Sequence, residues 1–165
     1  MGRLDFHQNS SEIKKNTPFP KEKIRDLPSL VKTCDGIGIS GANEHSESVL
    51  TSYSKTKKLR AIHSSETQES VRKSKQITGQ SETIRALSVK PDFLIHMTHA
   101  SKSDLQAASE ATRGIVICPR ANSSLAEGIP DIEKMENAGC LLALGTDNVM
   151  INSPDMFREM DFLWK

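Results

Sequence analysis

Five short apolar runs, spaced roughly 22 to 33 residues apart, constrain the fold more than any other feature of the chain. Each run is rich in Ile, Val and Leu and lacks strict polar alternation, which is typical of parallel strands covered on both faces. The predicted strands are Gly36–Ser40, Leu59–His63, Asp92–His96, Gly114–Cys118 and Cys140–Gly145.

Helical patterns separate these runs. The predicted helices are Glu47–Lys57, Gln68–Val89 in one or two pieces, Lys102–Ala111, Ile132–Ala138 and a last helix that opens with Ser153 as N-cap and Pro154 as first residue. Strict alternation of strands and helices predicts right-handed crossovers and parallel strands in sequence order, with the helices on one side. Two architectures remain: an open doubly wound sheet, or part of a (β/α)8 barrel.

The length of the chain decides between these architectures. A (β/α)8 barrel needs eight units and about 250 residues, whereas this chain has 165 residues and five units. Its last residues, DMFREMDFLWK, break off within an amphipathic helical pattern that has no C-cap. We therefore predict an α/β protein with a partial barrel over residues 35–165, preceded by a polar leader, or the end of an earlier unit, over residues 1–34.

Composition excludes several classes of function. With 22 Lys and Arg against 21 Asp and Glu, the net charge of +1 gives no electrostatic reason to expect nucleic acid or membrane as a partner. Aromatic residues are only 4% of the chain, which is low for stacking bases. Cys34, Cys118 and Cys140 lack a CxxC pair and are predicted to be reduced thiols. No signal peptide or long apolar run is recognisable, so a cytoplasmic location is predicted.

Polar residues stand where three predicted strands end. His63 ends the second strand, His96 ends the third, and Asp147 follows the fifth. Active sites of parallel α/β folds form at the carboxyl ends of strands. Each residue also has a structural interpretation: His63 bonded to a carbonyl, His96 and His99 capping a helix, and Asp147 in an Asx turn. His45 is predicted to be a solvated loop residue.

These residue types suit the chemistry of a metal-bound water. A borderline metal such as Zn²⁺ takes imidazole and carboxylate ligands and keeps one position for water, which then ionises near neutral pH. Glu66, three residues after His63, is placed to carry the proton of that water to a leaving group. A Ser-His-Asp triad would need a GxSxG elbow, and a phosphate site a GxGxxG or GK[ST] loop; neither occurs. Cys118 has no neighbouring base in the sequence and is predicted to be structural.

Five segments together resemble the amidohydrolase superfamily, and in particular its branch of metal-dependent deaminases and chlorohydrolases with archaeal members. The segments are DGIGISGANEHS, AIHSSETQES, FLIHMTHASKSDL, IVICPRANSSLAEGIPDIEKMENAG and LALGTDNVMINSPDMFREMDFL. They carry H-x-x-E, I-H-x-x-H, C-P-R-x-N and L-G-T-D in that order. The resemblance implies a (β/α)8 barrel, of which the five runs would be strands four to eight, and an enzyme that hydrolyses amidine, amide or ring-carbon bonds.

The resemblance also implies roles for five residues. His63 would bind the metal and Glu66 would carry protons and contact the substrate. His96 would hydrogen-bond the attacked group or the water. Asp147 would bind the metal and act as general base, and Asn122 would contact the substrate. The implied cofactor is a divalent metal, most readily Zn, with Fe and Mn as alternatives; the implied substrate is a small nitrogen heterocycle.

The family's paired-histidine motif H-x-H, which supplies two further metal ligands, is absent from the chain. Gly41 to Glu44 stand where some deaminases of the branch have a substrate-binding histidine. We therefore expect the chain alone to bind zinc poorly and to show no turnover, and a longer chain with H-x-H to be active. The alternative is a non-catalytic truncated relative that serves in binding or assembly. Unpaired sheet edges predict a homo-oligomer or a barrel-completing partner chain.

Overall fold

The computed structural model describes residues 27–165, and there five parallel strands form one sheet in the order of the sequence. The strands are β1 Gly36–Ile39, β2 Leu59–Ser64, β3 Phe93–His96, β4 Gly114–Ile117 and β5 Leu142–Leu144. The predicted α/β partial barrel is confirmed, because every predicted run overlaps one observed strand and all pairings are parallel. Most of the predicted leader lies outside the described residues.

Eight α-helices alternate with these strands in the described part of the chain. They are α1 Leu27–Thr33, α2 Glu47–Ser54, α3 Gln68–Thr78, α4 Glu82–Leu87, α5 Lys102–Ala111, α6 Pro119–Ser124, α7 Ile132–Asn137 and α8 Met156–Trp164. A 3-10 turn follows β1 at Ala42–Glu44. The region predicted as one or two helices is two, because Gly79 ends α3 with a left-handed φ of 75° and Ser81 caps α4.

The predicted start of the last helix is wrong by two residues. Asp155, not Ser153, is the N-cap: its Oδ1 accepts from the backbone N–H of Arg158 at 3.2 Å, so Pro154 lies before the helix. Asp is as good an N-cap as Ser, and the Asp155 carboxylate also lies 3.6 Å from the Nε of Arg158. The second contact favours the later start.

One face of the sheet is covered over its first four strands. Its side chains there include six that are at most 3% exposed, namely Ile37, Ile39, Ile62, Leu94, Ile115 and Ile117, whereas Leu142 and Leu144 of β5, on the same face, are partly exposed. They share one apolar core with helix residues such as Leu50, Leu105 and Met135. Burying a side chain of this size contributes about 1.5–3 kcal/mol, so this face supplies most of the hydrophobic stabilisation of the sheet.

The opposite face of the sheet is more open. Strand register puts His63, Ile95, Val116 and Ala143 side by side on it. The first three are partly exposed and Ala143 is exposed. In a closed barrel this face would look inward, so the face that carries His63 is the one that a complete barrel would enclose. Within residues 27–165, no helix combines the length and apolar character needed to cross a membrane.

Candidate active site

Three side chains that can bind a metal meet at the carboxyl ends of β2 and β3. His63, Glu66 and His96 each offer one ligand atom, and these atoms lie within 4.8 Å of one another. His63 Nδ1 is 3.3 Å from His96 Nε2, while the two Glu66 oxygens lie 3.7 Å from His63 Nδ1 and 3.5 Å from His96 Nε2. Two imidazoles and a carboxylate match the donor set of catalytic zinc sites. The residues present therefore fit a divalent metal.

The backbone turns sharply where these strands end. Ser65, His96 and Met97 have left-handed φ angles of 49°, 71° and 57°. Such conformations cost of order 1–3 kcal/mol each in non-glycine residues and cluster at functional sites. Hydrogen bonds across the turns hold them: Met97 N donates to Ser64 O at 3.0 Å, and His99 N donates to Ser65 O at 2.8 Å.

Glu66 stands just before the start of α3. Thr67 caps that helix, since its Oγ1 accepts from the backbone N–H of Ser70 at 2.9 Å, and an N-cap of this kind is worth about 1 kcal/mol. The cap fixes the direction of the chain immediately after Glu66. The Glu66 side chain is 27% exposed and that of His63 is 20% exposed, so both remain accessible from solvent.

His96 is fully buried and is held from two sides. Its Nδ1 lies 2.9 Å from Asn122 Oδ1, and its ring meets that of His63 edge-on, with centroids 4.8 Å apart. Burial lowers the pKa of His96 below its ordinary value, although the negative charge of Glu66 acts in the opposite direction. The ring is therefore neutral near pH 7, the form that can accept a hydrogen bond or bind a metal.

Asn122 does not line the cavity beside the site. It is fully buried in α6, where its Oδ1 contacts His96 and its Nδ2 donates to Thr98 Oγ1. The structure thus places Asn122 against a predicted site residue, on the side away from solvent.

Asp147 is not one of the three clustered groups. It follows β5 in a turn with a φ of 58° and is partly exposed. Among the described residues, no set of three metal-binding side chains includes it. Its negative charge nevertheless acts on its surroundings, since it favours the protonated forms of His96 and Cys118. Its metal-binding role remains a prediction.

A cavity of about 270 Å³ adjoins His63 and Glu66 on the side of β1. Four carboxylates and a single lysine are among its lining side chains, which are Ser40, Gly41, Asn43, Glu44, His63, Ser64, Glu66, Thr67, Glu69, Ser70, Lys73 and Glu82. The size is near the lower end of that of small-molecule sites. The excess of carboxylates favours a ligand that carries N–H donors or positive charge.

A buried glutamate that sequence reasoning missed forms part of the cavity wall. Glu82 is 4% exposed, and its carboxylate accepts from Ser65 N (2.9 Å), Ser70 Oγ (2.7 Å) and Asn43 Nδ2 (3.1 Å). Burial raises the pKa of Glu82, and the hydrogen bonds and the nearby Arg85 only partly oppose this. Glu82 therefore joins the loop after β1 to the turn after β2.

Arg85 is the second buried charge that the sequence did not reveal. Its guanidinium donates to Asn43 Oδ1 (2.8 Å), Ala42 O (2.9 Å) and Glu47 Oε1 (2.9 Å). The side chain of Arg85 has no exposed surface. The guanidinium fixes the 3-10 turn after β1, which is one wall of the cavity. The sequence shows that Glu82 and Arg85 lie three residues apart in one predicted helical segment. It does not show that they are buried, because their burial depends on residues about forty positions away.

Three further histidine and cysteine predictions have clear outcomes. The prediction that His45 is solvated is wrong: it is 2% exposed and packs edge-on against Tyr53. His99 does not cap a helix, because Ser101 caps α5 and His99 Nε2 lies 2.7 Å from Glu127 O. Cys118 is 3% exposed, and burial raises the pKa of its thiol to about 12, as expected of a structural cysteine.

Comparisons with known proteins agree with this geometry. The amidohydrolase family model matches residues 5–165. A protein of Methanothermobacter thermautotrophicus named "Putative aminohydrolase" is 38% identical over 145 residues, which cover 86% of this chain and 38% of that protein. A 5-methylthioadenosine/S-adenosylhomocysteine deaminase of Thermoanaerobacter pseudethanolicus is 31% identical over 160 residues, or 86% of this chain and 37% of the deaminase.

A solved structure has the same fold. The adenosine deaminase of Xanthomonas campestris with bound zinc superposes with a TM-score of 0.68 over 82% of this chain and 34% of that protein, at 21% identity. The chain thus spans less than two-fifths of the length of each of these two relatives. On the family match over nearly its whole length, the chain belongs to the amidohydrolase family.

Proposed function

We propose that this chain forms part of a metal-dependent hydrolase that deaminates a nitrogen heterocycle through a metal-activated water. The observation that carries the proposal is the meeting of His63, Glu66 and His96 at one edge of the sheet, with ligand atoms within 4.8 Å. Deaminases among the relatives and zinc in one structural neighbour support it.

The roles proposed for His63, Glu66 and His96 follow from their exposure and position, and the role of Asp147 follows from the family resemblance. His63 and Asp147 would hold the metal, and His96 would support His63 from the buried side. When bound, the metal supplies a water that ionises near neutral pH. Glu66 would take up a proton from the attacking water and would return it to the departing nitrogen as the C–N bond breaks. Because the Glu66 side chain is partly exposed and lines the cavity, its carboxylate can reach both the water and the departing nitrogen.

Zinc is the metal we propose. Imidazole and carboxylate donors suit Zn, Fe and Mn alike, and the adenosine deaminase of the same fold contains zinc. The acidic cavity beside the cluster suits a substrate with amino or ring N–H groups. A heterocycle bearing an exocyclic amine has such groups.

A fusion protein tests this function. This chain replaces the matching segment of the Thermoanaerobacter deaminase, and the rest of that deaminase supplies the remaining length and the H-x-H motif of the family. Ammonia release is measured on 5-methylthioadenosine, S-adenosylhomocysteine and a panel of purines and pyrimidines, with metal content by elemental analysis and the unmodified deaminase as reference. We expect bound metal and turnover of at least one substrate.

Matched carboxylate variants of the fusion separate chemistry from charge. Glu66→Gln should keep the metal and lose about 10²–10⁴-fold in rate, because proton shuttling contributes that much. Glu69→Gln, which neutralises an exposed carboxylate of the same cavity, should retain the rate within a few-fold. A folded, metal-containing Glu66→Gln fusion that releases ammonia at the unmodified rate would contradict the proposed role of Glu66. A folded fusion that is inactive on the whole panel would contradict the proposed function.

A second proposal, that the chain works in an assembly, rests on exposed apolar side chains. Val149, Met150, Phe157 and Trp164 are 68%, 87%, 81% and 90% exposed, and the His63 face of the sheet is open as well. We propose that a barrel-completing segment or partner covers these surfaces. Sedimentation velocity tests it: the chain should self-associate, and Phe157→Glu should weaken association, whereas a concentration-independent monomer would contradict it.

A further inference from the structure

The residue just before Glu66 is held in an unusual backbone conformation by two other parts of the chain. Ser65 has a left-handed φ of 49°, which non-glycine residues seldom adopt. Its backbone N–H donates to Glu82 Oε2 at 2.9 Å, its carbonyl oxygen accepts from His99 N at 2.8 Å, and its hydroxyl lies 3.0 Å from Thr83 Oγ1. Ser65 is 1% exposed, so protein groups and not solvent fix this conformation.

Glu82 also binds the chain on the other side of Glu66. Its Oε2 accepts from Ser70 Oγ at 2.7 Å, in the first turn of α3. Ser65 and Ser70 thus share one carboxylate oxygen, and Glu66 lies between them in the sequence. Because Glu82 is 4% exposed, these bonds form largely out of solvent, where hydrogen bonds to a carboxylate are strengthened. Both ends of the segment that carries Glu66 are therefore fixed to a single side chain.

Glu82 is itself anchored to the loop after β1. Its Oε1 accepts from Asn43 Nδ2 at 3.1 Å. The orientation of the Asn43 amide is set by Arg85, because a guanidinium has only donors and its Nη1 lies 2.8 Å from Asn43 Oδ1. Asn43 Nδ2 is then directed at Glu82 and at Ser70 O, 2.8 Å away. The Glu82 carboxylate is therefore held from outside the segment that it fixes.

We propose that Glu82 is a positioning residue, which fixes the backbone of residues 65–70 and thereby places the Glu66 carboxylate beside the two histidines of the site. The φ of Ser65 sets the direction in which the chain continues. A return of Ser65 to the extended region would therefore move the Glu66 oxygens from their distances of 3.5 and 3.7 Å to the imidazole nitrogens. The consequence for activity rests on the proposed function, whereas the placement of Glu66 is a property of this chain alone.

Proton NMR of the chain without metal measures the placement of Glu66. Its γ-methylene protons should show nuclear Overhauser contacts with ring protons of His63 and His96, because its oxygens lie 3.7 and 3.5 Å from their nitrogens. Glu82→Leu removes both acceptor oxygens at similar side-chain size and should abolish these contacts. The control Val49→Ala leaves a void in the core and does not touch the cavity, so it should lower stability and keep the contacts.

Glu82→Gln is the second test, for the case that the leucine variant does not fold. Its amide keeps one acceptor oxygen, but its NH₂ group must face a donor, either Asn43 Nδ2 or the groups of Ser65 and Ser70. The contacts of Glu66 should therefore weaken in a chain that stays folded. Contacts of full strength in a folded Glu82→Leu or Glu82→Gln chain would overturn the proposal. An equal loss in Val49→Ala would overturn it too, since the effect would then be a general one.

A double-mutant cycle in the fusion protein tests whether Glu82 acts through Glu66. Glu82→Gln should lower kcat by up to about 100-fold, because a small misplacement of a reacting group can cost that much, with a smaller change in KM. In a fusion that already carries Glu66→Gln, it should cost less than about three-fold, since coupled residues are not additive. Val49→Ala should have the same small effect in both backgrounds.

The two measurements fail in different ways. A fusion that is inactive in every form would count against the proposed function and leave the NMR result on Glu66 standing. An equal loss of kcat from Glu82→Gln with and without Glu66→Gln, in folded fusions that turn over substrate, would refute the positioning role of Glu82.

Discussion

Replacing Arg85 by methionine should cost about 3–5 kcal/mol of unfolding free energy, which is the usual loss when one partner of a buried ionic network is removed. Methionine keeps much of the aliphatic stem but removes every donor. The buried Asn43 Oδ1 would lose a hydrogen bond of 2.8 Å, and Ala42 O would lose one of 2.9 Å. A buried acceptor left without a partner costs about 1–3 kcal/mol.

The contribution of Glu47 to this loss is small. Its side chain is 62% exposed, and exposed ion pairs contribute about 0–1 kcal/mol. Glu82 loses its nearby positive charge and becomes harder to ionise, since Arg85 is one of the groups that partly offset the rise in its pKa. Domains of this kind have about 5–15 kcal/mol of stability in total, so the variant should be close to the limit of folding.

Urea unfolding followed by far-UV circular dichroism measures the effect. Arg85→Met should lower the midpoint strongly, and Arg85→Lys should be intermediate, because one ammonium cannot reach all the acceptors that the guanidinium spans. Glu47→Gln, which weakens only the exposed contact, should change the free energy of unfolding by less than about 1 kcal/mol. A folded Arg85→Met chain within about 1 kcal/mol of wild type, at an unchanged urea dependence, would show that the Arg85 hydrogen bonds do not stabilise the fold as expected.

Two further predictions concern buried ionisable groups. Burial raises the pKa of the Glu82 carboxyl above its ordinary value of 4.5. The folded chain therefore binds the carboxyl proton more tightly than the unfolded chain does. The free energy of unfolding should fall as the pH rises from 4.5 through the pKa of the folded state. In Glu82→Gln, the melting temperature should depend less on pH over this range, and one mismatched hydrogen bond should cost about 1–3 kcal/mol of unfolding free energy. An unchanged pH dependence would show that Glu82 is not the group responsible. The buried Cys118 thiol, with its pKa raised to about 12, should resist iodoacetamide in the folded chain and react after unfolding, as followed by mass spectrometry; rapid labelling of the native protein would show that it is accessible.

The sheet was predictable from the sequence because its strands are apolar on both sides. LRAIH and DFLIH indicate β2 and β3 within a residue or two, since the strands of a parallel sheet are mostly apolar and lack strict polar alternation. Helix α6 was missed because PRANSS has no apolar period. It forms because Pro119 suits a first helical position and Arg120 bonds the buried Glu159 of α8 at 3.2 Å. The second of these causes is tertiary and invisible locally.

The candidate site was also predictable from the sequence only in part. His63, Glu66 and His96 could be named from the sequence because strand ends of a parallel sheet meet at one edge. Their mutual distances and the support from Asn122 depend on left-handed turns that no local pattern indicated. Glu82 and Arg85 were missed because a charged residue on a short helix is ordinarily solvated. Their burial depends on Asn43, brought near by the pairing of β1 with β2.

We have proposed that side chains at the ends of β2 and β3 contribute to a metal site. Zinc binding by the chain, measured by competition with a chromophoric chelator, is the decisive measurement for this site. We expect one weak site per chain, since the H-x-H ligands are absent from this sequence. His63→Ala should abolish this site, and the matched control His99→Ala should leave it unchanged. Zinc binding that is equal in the wild-type and His63→Ala chains would show that His63 is not part of a metal site.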